Sequence, residues 1–453
     1  MTLEAYFEKF RGKRVAVLGL GVSNRPLLRL LTAHGAKVIG CDKTARSALD
    51  AEVLAFEAMG VELHLGEAYL QNLSCDVAFR TPGMLPNMPE LRELAESGVQ
   101  ITSEMEAFFA VCPCRIIGVT GSDGKTTTAT LIAKILEHAG HSVHLGGNIG
   151  TPLLEMTDTM ERSDWVVVEL SSFQLMDMHH SGCIAVVTNV APNHLDMHRD
   201  MDEYVQAKKN CFLYQNDSDT LVLNYDNEIT RSFAAEARGT VKFFSRESAQ
   251  GVHLQDGVVY RGETPILRQD EILLPGIHNV ENYMAAIAAL AGLASDADIR
   301  AVAQSFGGVE HRIELVRVRG GVSYYNDSIA SSPSRTIAGL RSFSQKVILI
   351  AGGYDKHISY DVLGPEVVAH VKLLVATGAT GGKIVQAVKA AADYREGMPE
   401  IVEKDDFHEA VLAAAKAAQP GDIVLLSPAS AAFDRFKNFM VRGAAFKALV
   451  REL

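Results

Sequence analysis

The chain has 453 residues, enough for about three domains of roughly 150 residues each, and its 47% hydrophobic content suffices for several cores. A formal net charge of −12 argues against general nucleic-acid binding and against adhesion to an anionic membrane. The six cysteines contain no Cys-x-x-Cys pair, so neither a zinc site nor a disulfide framework is indicated. Because the first apolar run is too short for a signal peptide, we expect a reduced, cytoplasmic enzyme without nucleic-acid or membrane partners.

The N-terminal part of the chain begins with a βαβ pattern. Arg14–Gly21 predicts a buried strand that ends in a glycine turn, and Ala36–Asp42 predicts the next strand. A Gly-x-Gly turn followed by an acidic residue such as Asp42 is typical of dinucleotide sites, but Asn24 stands in place of the third glycine. Three interpretations stay open: a nucleotide-sugar site, which we favour, an NAD site, or a turn that binds nothing.

A second turn follows the strand predicted for Cys75–Phe79. Its residues Thr81, Pro82 and Gly83 leave the carboxyl end of that strand. Ligands of open α/β sheets bind at such carboxyl ends. The pattern of Glu104–Val111 predicts a helix that connects this region to the rest of the chain.

The most informative stretch runs from Arg115 to Thr128 and reads RIIGVTGSDGKTTT. A β-branched run, a glycine loop and a helical pattern follow one another, so N–H groups of the loop and of the helix N-terminus face one anion site. Lys125 adds a positive charge there, and Thr126 suits Mg²⁺ binding. Val119 stands where the usual nucleotide loop has its first glycine, and an ordinary glycine turn remains the alternative.

Two later strand ends carry candidate Mg²⁺ ligands. The apolar run Trp165–Leu170 contains Glu169 near its end, and a carboxylate facing a phosphate loop suits Mg²⁺, although a strand-end cap is the alternative. Ile184–Val190 predicts the next strand, and His194 follows it. A lone His194 would more often be structural. We expect it to be a ligand because we expect its strand to neighbour that of Glu169.

The C-terminal part repeats a strand-and-helix alternation. Val322–Tyr325, Lys346–Gly353, Leu373–Thr377 and Asp422–Leu426 predict the strands of a second Rossmann-like sheet. A helix is predicted from about Phe433 to Leu449.

Several motifs resemble those of the Mur ligases, ATP-dependent enzymes that build the peptide of bacterial cell-wall precursors. They are the loop TGSDGKTTT, then GGNIG, ELSSFQL, NHLDMH and Y-x-x-A-K, the last ending at Lys208. Folylpolyglutamate synthases share a version of the loop, but they start directly with the ATP domain. ELSSFQL in particular is similar to the branch of the family that adds D-glutamate.

The resemblance covers essentially the whole chain and implies an α/β fold of three domains. A Rossmann-like domain that binds a UDP-sugar is expected at residues 1–111. A central, mostly parallel domain like those of P-loop ATPases is expected at 112–311. A C-terminal Rossmann-like domain that binds the amino acid is expected at 312–453.

The resemblance also implies a catalytic set. Lys125, Glu169, His194 and Lys208 resemble catalytic residues of the family, and the last three together with Thr126 resemble ligands of two Mg²⁺ ions. Lys208 resembles the lysine that reacts with CO₂. The physical reason is charge, because a free ammonium is repelled by two divalent cations whereas a carbamate is an anionic oxygen ligand.

Three binding sites follow by the same resemblance. The ATP site would include Gly121, Ser122, Asp123, Gly124, Lys125, Thr126, Thr127, Asn279, Asn282, Arg312 and Asp327. The UDP-sugar site would include Gly21, Val22, Ser23, Asn24, Asp42, Thr81, Pro82, Gly83 and Asn148. The amino-acid site would include Ser331, Lys356 and Phe439. Ile329 and Ala432 depart from the family pattern near that last site, which leaves the identity of the amino acid open.

The implied reaction joins D-glutamate to UDP-N-acetylmuramoyl-L-alanine through an acyl phosphate, in a cytoplasmic monomer that uses ATP and Mg²⁺ for peptidoglycan precursor synthesis. Two alternatives stay open. One is a Mur-type or folate-type ligase with a different acceptor amino acid. The other is a non-catalytic nucleotide-binding regulator, which needs the phosphate loop but has no use for Glu169, His194 and Lys208 together.

Overall fold

The computed structural model describes four stretches of the chain: residues 1–149, 152–195, 197–356 and 358–453. Gly150 of the GGNIG motif and Asp196 of the NHLDMH motif lie outside the described residues. The fold is mixed α/β with three sheets, as expected from the sequence.

The chain divides into two compact units. The first contains Met1–Gln269 and Glu281–Val302, and the second contains Asp270–Val280 and Ala303–Leu453. The first unit holds two of the three sheets and the second unit holds the third. The three-domain boundaries inferred from the sequence stay a prediction.

The first sheet is built from residues 14–102. Its strands are β1 (Arg14–Leu18), β2 (Lys37–Asp42), β3 (Glu62–Leu65), β4 (Val77–Arg80) and β5 (Gln100–Thr102). Its helices are α1 (Leu3–Phe7), α2 (Arg25–Ala33), α3 (Ala51–Ala55), α4 (Pro89–Glu96) and α5 (Glu104–Val111). The strands are parallel in the order β3-β2-β1-β4-β5. This is the strand order of one half of a doubly wound sheet. Both faces of such a sheet are covered, which explains why the sequences of β1 and β4 are mostly apolar.

The second sheet begins at the phosphate loop. Its strands are β6 (Arg115–Thr120), β7 (Val143–Gly147), β8 (Trp165–Glu169), β9 (Ile184–Val187), β10 (Thr220–Asn224), β11 (Thr240–Ser245), β12 (Val252–Gln255), β13 (Val258–Arg261) and β14 (Thr264–Arg268). The accompanying helices are α6 (Lys125–His138), α7 (Ser172–Leu175), α8 (Met201–Lys209), α9 (Glu228–Ser232), α10 (Ile277–Ala289) and α11 (Asp296–Ser305). The strand order is β14-β13-β12-β11-β10-β9-β6-β8-β7.

This order corrects one expectation from the sequence. Glu169 ends β8 and His194 follows β9, and we expected these two strands to be neighbours. They are not, because β6 pairs with β8 on one side and with β9 on the other. The error arose because successive crossovers from a central strand place later strands on either side of it. Glu169 and His194 therefore follow the two strands that flank the phosphate-loop strand, where an open α/β sheet forms its ligand crevice.

The third sheet lies in the second unit. Its strands are β15 (Glu314–Arg319), β16 (Val322–Asn326), β17 (Val347–Ala351), β18 (Val371–Ala376), β19 (Glu400–Glu403) and β20 (Ile423–Leu426). Its helices are α12 (Pro333–Leu340), α13 (Leu363–His370), α14 (Gly381–Lys389), α15 (Phe407–Ala417) and α16 (Phe439–Glu452). The order is β15-β16-β20-β17-β18-β19, with β15 antiparallel to β16 and the other pairs parallel.

The start of the last helix was predicted wrongly. The apolar pattern placed it near Phe433, but α16 begins at Phe439. The side chain of Asn438 accepts a hydrogen bond from the backbone N–H of Val441, so this asparagine caps the helix N-terminus. Among the described helices, none is both long and apolar enough to cross a membrane.

Arg80 connects the end of β4 to the segment after β8. Its side chain is almost fully buried; Nε donates to Asp177 at 2.7 Å, and the guanidinium also donates to the carbonyls of Phe173 and Met84. Removal of a buried cation that satisfies several acceptors leaves those acceptors without partners.

We therefore expect Arg80→Ala to lower the free energy of unfolding by about 3 kcal/mol. Urea denaturation followed through Trp165, the single tryptophan, which is buried in β8, measures this change. Arg92→Ala, at an exposed position of α4, serves as the control and should change little. A decrease in unfolding free energy of less than about 1 kcal/mol for Arg80→Ala would contradict a stabilising role of Arg80.

Candidate functional site

The phosphate loop is shaped by the packing of Gly124. This residue precedes α6 and has a φ of 78°, a left-handed conformation. A Cβ atom placed there would lie 2.4 Å from the Oδ1 of Asn282, which also accepts a hydrogen bond from the hydroxyl of Thr128 at 3.2 Å. Only glycine therefore fits this turn. Asn282, which the sequence placed in the ATP site, lies directly against the loop.

Two lysine side chains lie over the same loop. Lys125 Nζ donates to the carbonyl oxygens of Gly121 and Ser122 at 2.9 Å each. Lys208 Nζ donates to the same Gly121 carbonyl at 2.7 Å and lies 4.6 Å from the centre of the Tyr204 ring. The structure thus brings the lysine of the loop motif together with the lysine of the Y-x-x-A-K motif.

Lys208 is an unusual buried lysine. Its side chain is 1% exposed, and within the part of the chain that the structure describes no carboxylate lies at ion-pair distance from it. Burial, together with the smaller effect of the nearby Lys125 charge, lowers the pKa of its ammonium to about 7. The ordinary interpretation of a helical lysine, a solvated surface cation, does not hold here.

Glu169 is a buried carboxylate with one unsatisfied oxygen. Its Oε1 accepts a hydrogen bond from Asn148 Nδ2 at 2.9 Å, whereas its Oε2 is buried and has no hydrogen-bond partner. A buried, unpaired carboxylate oxygen beside a phosphate loop suits a hard cation such as Mg²⁺. Within the described ranges, no group of three or more His, Cys, Asp or Glu side chains forms a metal cluster. Glu169 would therefore supply one oxygen ligand to such a cation.

The two histidines after β9 differ in environment. His194 is exposed, has a φ of 56°, and its ring contacts that of Phe173 edge-on at 5.3 Å between centres. His198 is buried, stacks against the same Phe173 ring at 4.9 Å between centres, and pairs through Nε2 with the hydroxyl of Ser172 at 2.9 Å. Burial lowers the pKa of His198, although Glu203, 3.3 Å from its Nδ1, acts in the opposite direction. His194 remains the candidate ligand.

The N-terminal turns line a cavity of about 260 Å³, here called the small cavity. Of the residues predicted to bind the UDP-sugar, it is lined by Val22, Ser23, Asn24, Pro82 and Asn148. Because Asn148 also bonds to Glu169, this residue connects the cavity to the phosphate-loop region.

The other residues predicted for the UDP-sugar site, namely Gly21, Asp42, Thr81 and Gly83, do not line the small cavity. Asp42 instead braces the first turn, since its carboxylate accepts hydrogen bonds from the N–H groups of Leu20 at 2.8 Å and Thr44 at 2.9 Å. The two turns lie against each other, because a Cβ at Gly19 would come within 2.8 Å of the Thr81 side chain.

Sequence reasoning missed Glu104, which also lines the small cavity. The available signal was its position at the start of α5, where Glu104 and Glu106 are the two acidic residues of an otherwise apolar helix. A larger cavity of about 890 Å³ lies along β11–β13 and contains none of the predicted site residues. Size alone therefore does not mark the site.

In the second unit, Asp327 and Ser331 follow the carboxyl end of β16, and Lys356 follows that of β17. Asp327 is buried, and its carboxylate accepts hydrogen bonds from Ser427 Oγ at 2.7 Å and from the N–H of Ile313 at 3.3 Å. Burial raises the pKa of Asp327 to about 7. Ser331 is half-buried and Lys356 is exposed.

Sequence reasoning also missed Arg442, which orders this region. It is buried, and its guanidinium donates to the hydroxyl and carbonyl of Ser328 and to the carbonyls of Ser430 and Ala431, at 2.9–3.0 Å. The backbone carbonyl of Phe439 accepts from the same Ser328 hydroxyl at 2.8 Å. Nothing in the sequence distinguishes Arg442 from a surface arginine of a helix.

Comparison with known proteins adds to this geometry. Residues 119–290 match the Mur ligase middle domain, and residues 311–430 match the glutamate ligase domain of Mur ligases. The chain belongs to the Mur ligase family. It is 50% identical over 460 residues to the UDP-N-acetylmuramoylalanine–D-glutamate ligase of Acetivibrio thermocellus, covering 100% of this chain and 99% of that protein. The corresponding ligase of Clostridium botulinum is 49% identical, covering 99% of each.

Solved structures of Mur ligases share the fold. The UDP-N-acetylmuramate-alanine ligase of Thermotoga maritima matches with a TM-score of 0.58 at 17% identity, covering 97% of this chain and 99% of that one. A UDP-N-acetylmuramoyl-L-alanyl-D-glutamate–2,6-diaminopimelate ligase matches with a TM-score of 0.56 at 18% identity, covering 96% and 92%. At such identities these two Mur ligases confirm the α/β fold alone.

Proposed function

We propose that this Mur ligase joins D-glutamate to UDP-N-acetylmuramoyl-L-alanine and cleaves ATP to ADP and phosphate in the process. The observation that carries the proposal is the convergence of Lys125, Lys208 and Glu169 at one phosphate loop. The proposal is supported by the 49–50% sequence identity of this chain, along essentially its whole length, to D-glutamate ligases. A nucleotide-binding regulator has no use for a buried lysine and an unsatisfied carboxylate beside that loop.

The reaction divides into two group transfers. First, a carboxylate oxygen of the acyl donor attacks the γ-phosphorus of ATP, the bond to the bridging oxygen breaks, and ADP leaves. The amine of D-glutamate then attacks the carbonyl carbon of the acyl phosphate, loses a proton, and phosphate departs from the tetrahedral intermediate. Such phosphoryl transfer depends mainly on positioning and on neutralising charge.

Residues of the phosphate loop supply much of that charge compensation. The ammonium of Lys125 lies over the loop, where it faces the oxygens of a bound triphosphate. The N–H groups at the start of α6 add the partial positive charge of a helix N-terminus. Asn148 holds Glu169 in place and lines the small cavity, so it is suited to orient the acyl carboxylate toward the nucleotide.

One observation favours Mg²⁺ at this site, because the Oε2 atom of Glu169 is buried and has no hydrogen-bond partner. Thr126, Glu169, His194 and a modified Lys208 are the residues that would hold it, and bound Mg²⁺ would neutralise charge on the transferred phosphoryl group.

Modification of Lys208 by CO₂ also fits its surroundings. An amine must be neutral to attack CO₂, and burial without a carboxylate partner favours the neutral amine. The product carbamate would place an anion beside the loop at the position of this neutral amine. The roles inferred for Asn279, Arg312 and Asp327 toward ATP, and for Ser331, Lys356 and Phe439 toward the amino acid, stay predictions.

Release of ADP tests the function directly. The enzyme is mixed with ATP, Mg²⁺, UDP-N-acetylmuramoyl-L-alanine and one amino acid from a panel that includes both enantiomers of glutamate. D-Glutamate alone is expected to support sustained ADP release. Release with a different amino acid would indicate another Mur-type ligase, which the departures at Ile329 and Ala432 make worth testing. Release independent of any amino acid would contradict ligase function.

The N-terminal turns are expected to bind the uridine diphosphate end of the substrate and not NAD. Titration of the enzyme should give saturable binding of UDP and none of NADH. Asp42→Ala should weaken UDP binding about tenfold, because it removes the acceptor that braces the Leu20 and Thr44 N–H groups. Glu62→Ala, an exposed carboxylate on β3, is the control. Tight binding of NADH without binding of UDP would show that the nucleotide-sugar interpretation is wrong.

A further inference from the structure

Two residues that line the small cavity, Asn24 and Glu104, each have a buried polar atom without a hydrogen-bond partner. Asn24 is 2% exposed, and its Nδ2 donates to the Gly19 carbonyl at 2.9 Å, but its Oδ1 accepts no hydrogen bond. Glu104 is 8% exposed, and its Oε1 also has no partner. An unsatisfied buried polar atom costs about 1–3 kcal/mol. A ligand group that satisfies both atoms would therefore bind favourably.

The charge state of Glu104 follows from its burial. Burial raises the pKa of its carboxyl to about 7, and this is the single cause of the shift. The titratable groups on α5 and on the segments packed against it, namely α1, residues 154–159 and residues 179–180, are Glu4, Tyr6, Glu106, Glu155, Asp158, His179 and His180. None of these contributes to the raised pKa, and no cation stabilises the ionised form. Glu104 is therefore largely a neutral acid below pH 7.

We propose that Glu104 is a binding residue for the acyl donor and that, together with Asn24, it receives an amide group of that ligand in the small cavity. This inference rests on the proposed function, because the muramoyl-alanine part of that substrate carries amides. The Oδ1 of Asn24 accepts from the amide N–H, and the neutral carboxyl of Glu104 donates to the amide carbonyl.

The neutral acid also suits the charge of this ligand. The donor carries a diphosphate and a carboxylate, and an ionised Glu104 in a buried cavity would repel them. The cavity, at about 260 Å³, is smaller than the 300–1,000 Å³ typical of sites for whole drug-sized ligands. It has room for one part of the donor, and the polar residues Asn24 and Glu104 in its lining favour the amide-bearing part.

Calorimetric titration of the full-length protein with UDP-N-acetylmuramoyl-L-alanine at several pH values tests the proposal. The affinity of the parent should fall about tenfold from about pH 6 to about pH 8, following the neutral fraction of a group that titrates at about 7. Glu104→Gln stays neutral and keeps a donor, so it should bind within about threefold of the parent near pH 6 and show no such fall. Glu104→Ala should bind about tenfold more weakly near pH 6.

Two controls separate binding from structure. Glu106→Gln removes a carboxylate on the same helix, and this carboxylate pairs with His180 at 3.0 Å. The Glu106→Gln variant should keep the pH profile of the parent. UDP alone lacks the amide, so its affinity should be the same in the parent, Glu104→Gln and Glu104→Ala.

Three results would overturn the role of Glu104. They are an unchanged pH profile in Glu104→Gln, unchanged donor affinity in Glu104→Ala, and an equal loss of UDP binding in Glu104→Ala. In each of these cases the parent still binds the donor, so the proposed function stands. Absence of donor binding to the folded parent at every pH would instead contradict the proposed function itself.

Discussion

Replacement of Lys125 by alanine is expected to lower the rate of ADP formation about 100- to 1,000-fold. The ammonium of Lys125 is the charge that the phosphate loop places over the bound nucleotide, and its hydrogen bonds to the Gly121 and Ser122 carbonyls fix its position. Steady-state measurement with saturating substrates should show the loss chiefly in kcat, because the charge on the phosphoryl group is greatest during transfer.

Lys134→Ala is the matched control for this variant. Lys134 lies on the same helix α6, and its ammonium pairs with Glu137 at 2.7 Å on the exposed face. Its loss should change the rate less than about twofold, since exposed ion pairs contribute little. Activity of Lys125→Ala within about tenfold of the parent would contradict the assignment of the ATP loop.

Removal of Lys208 is expected to give a comparable loss, at least about 100-fold, that small carboxylates restore in part. If Lys208 functions as a carbamate, Lys208→Ala removes an anionic ligand and leaves a buried space beside Gly121 and Tyr204. Acetate or formate fits that space and returns the negative charge. Neutral solutes of similar size should not restore activity, because charge is the missing property. The rate of ADP formation with increasing acetate or formate measures the effect.

The competing interpretation makes the opposite prediction. If Lys208 acts only as an unmodified cation, small amines should restore activity and carboxylates should not. Lys209→Ala is the control on the adjacent position, where the ammonium pairs with Glu236 at 2.5 Å, and it should stay near parent activity without additives. Restoration by amines alone would exclude the carbamate for this enzyme.

Local patterns in the sequence predicted the secondary-structure elements that position the candidate site. A β-branched run, a glycine loop and Lys125 at the start of a helical pattern predicted the phosphate cradle, because its function depends on backbone N–H groups that neighbouring residues position. The strand ending in Glu169 and the connector helix Glu104–Val111 were also correctly placed, since burial of a continuous apolar run fixes both. The match of motifs to the Mur ligases was confirmed by the full-length relatives.

The tertiary structure decided what depends on residues distant in sequence. Strand order is such a property, and β6 separates the strands of Glu169 and His194 because crossovers pass to both sides of a central strand. The burial of Lys208 and Glu104, and with it their shifted pKa values, arises from segments far along the chain that exclude water. A sequence shows which groups can ionise, but the desolvation that sets their charge exists only once the chain has folded.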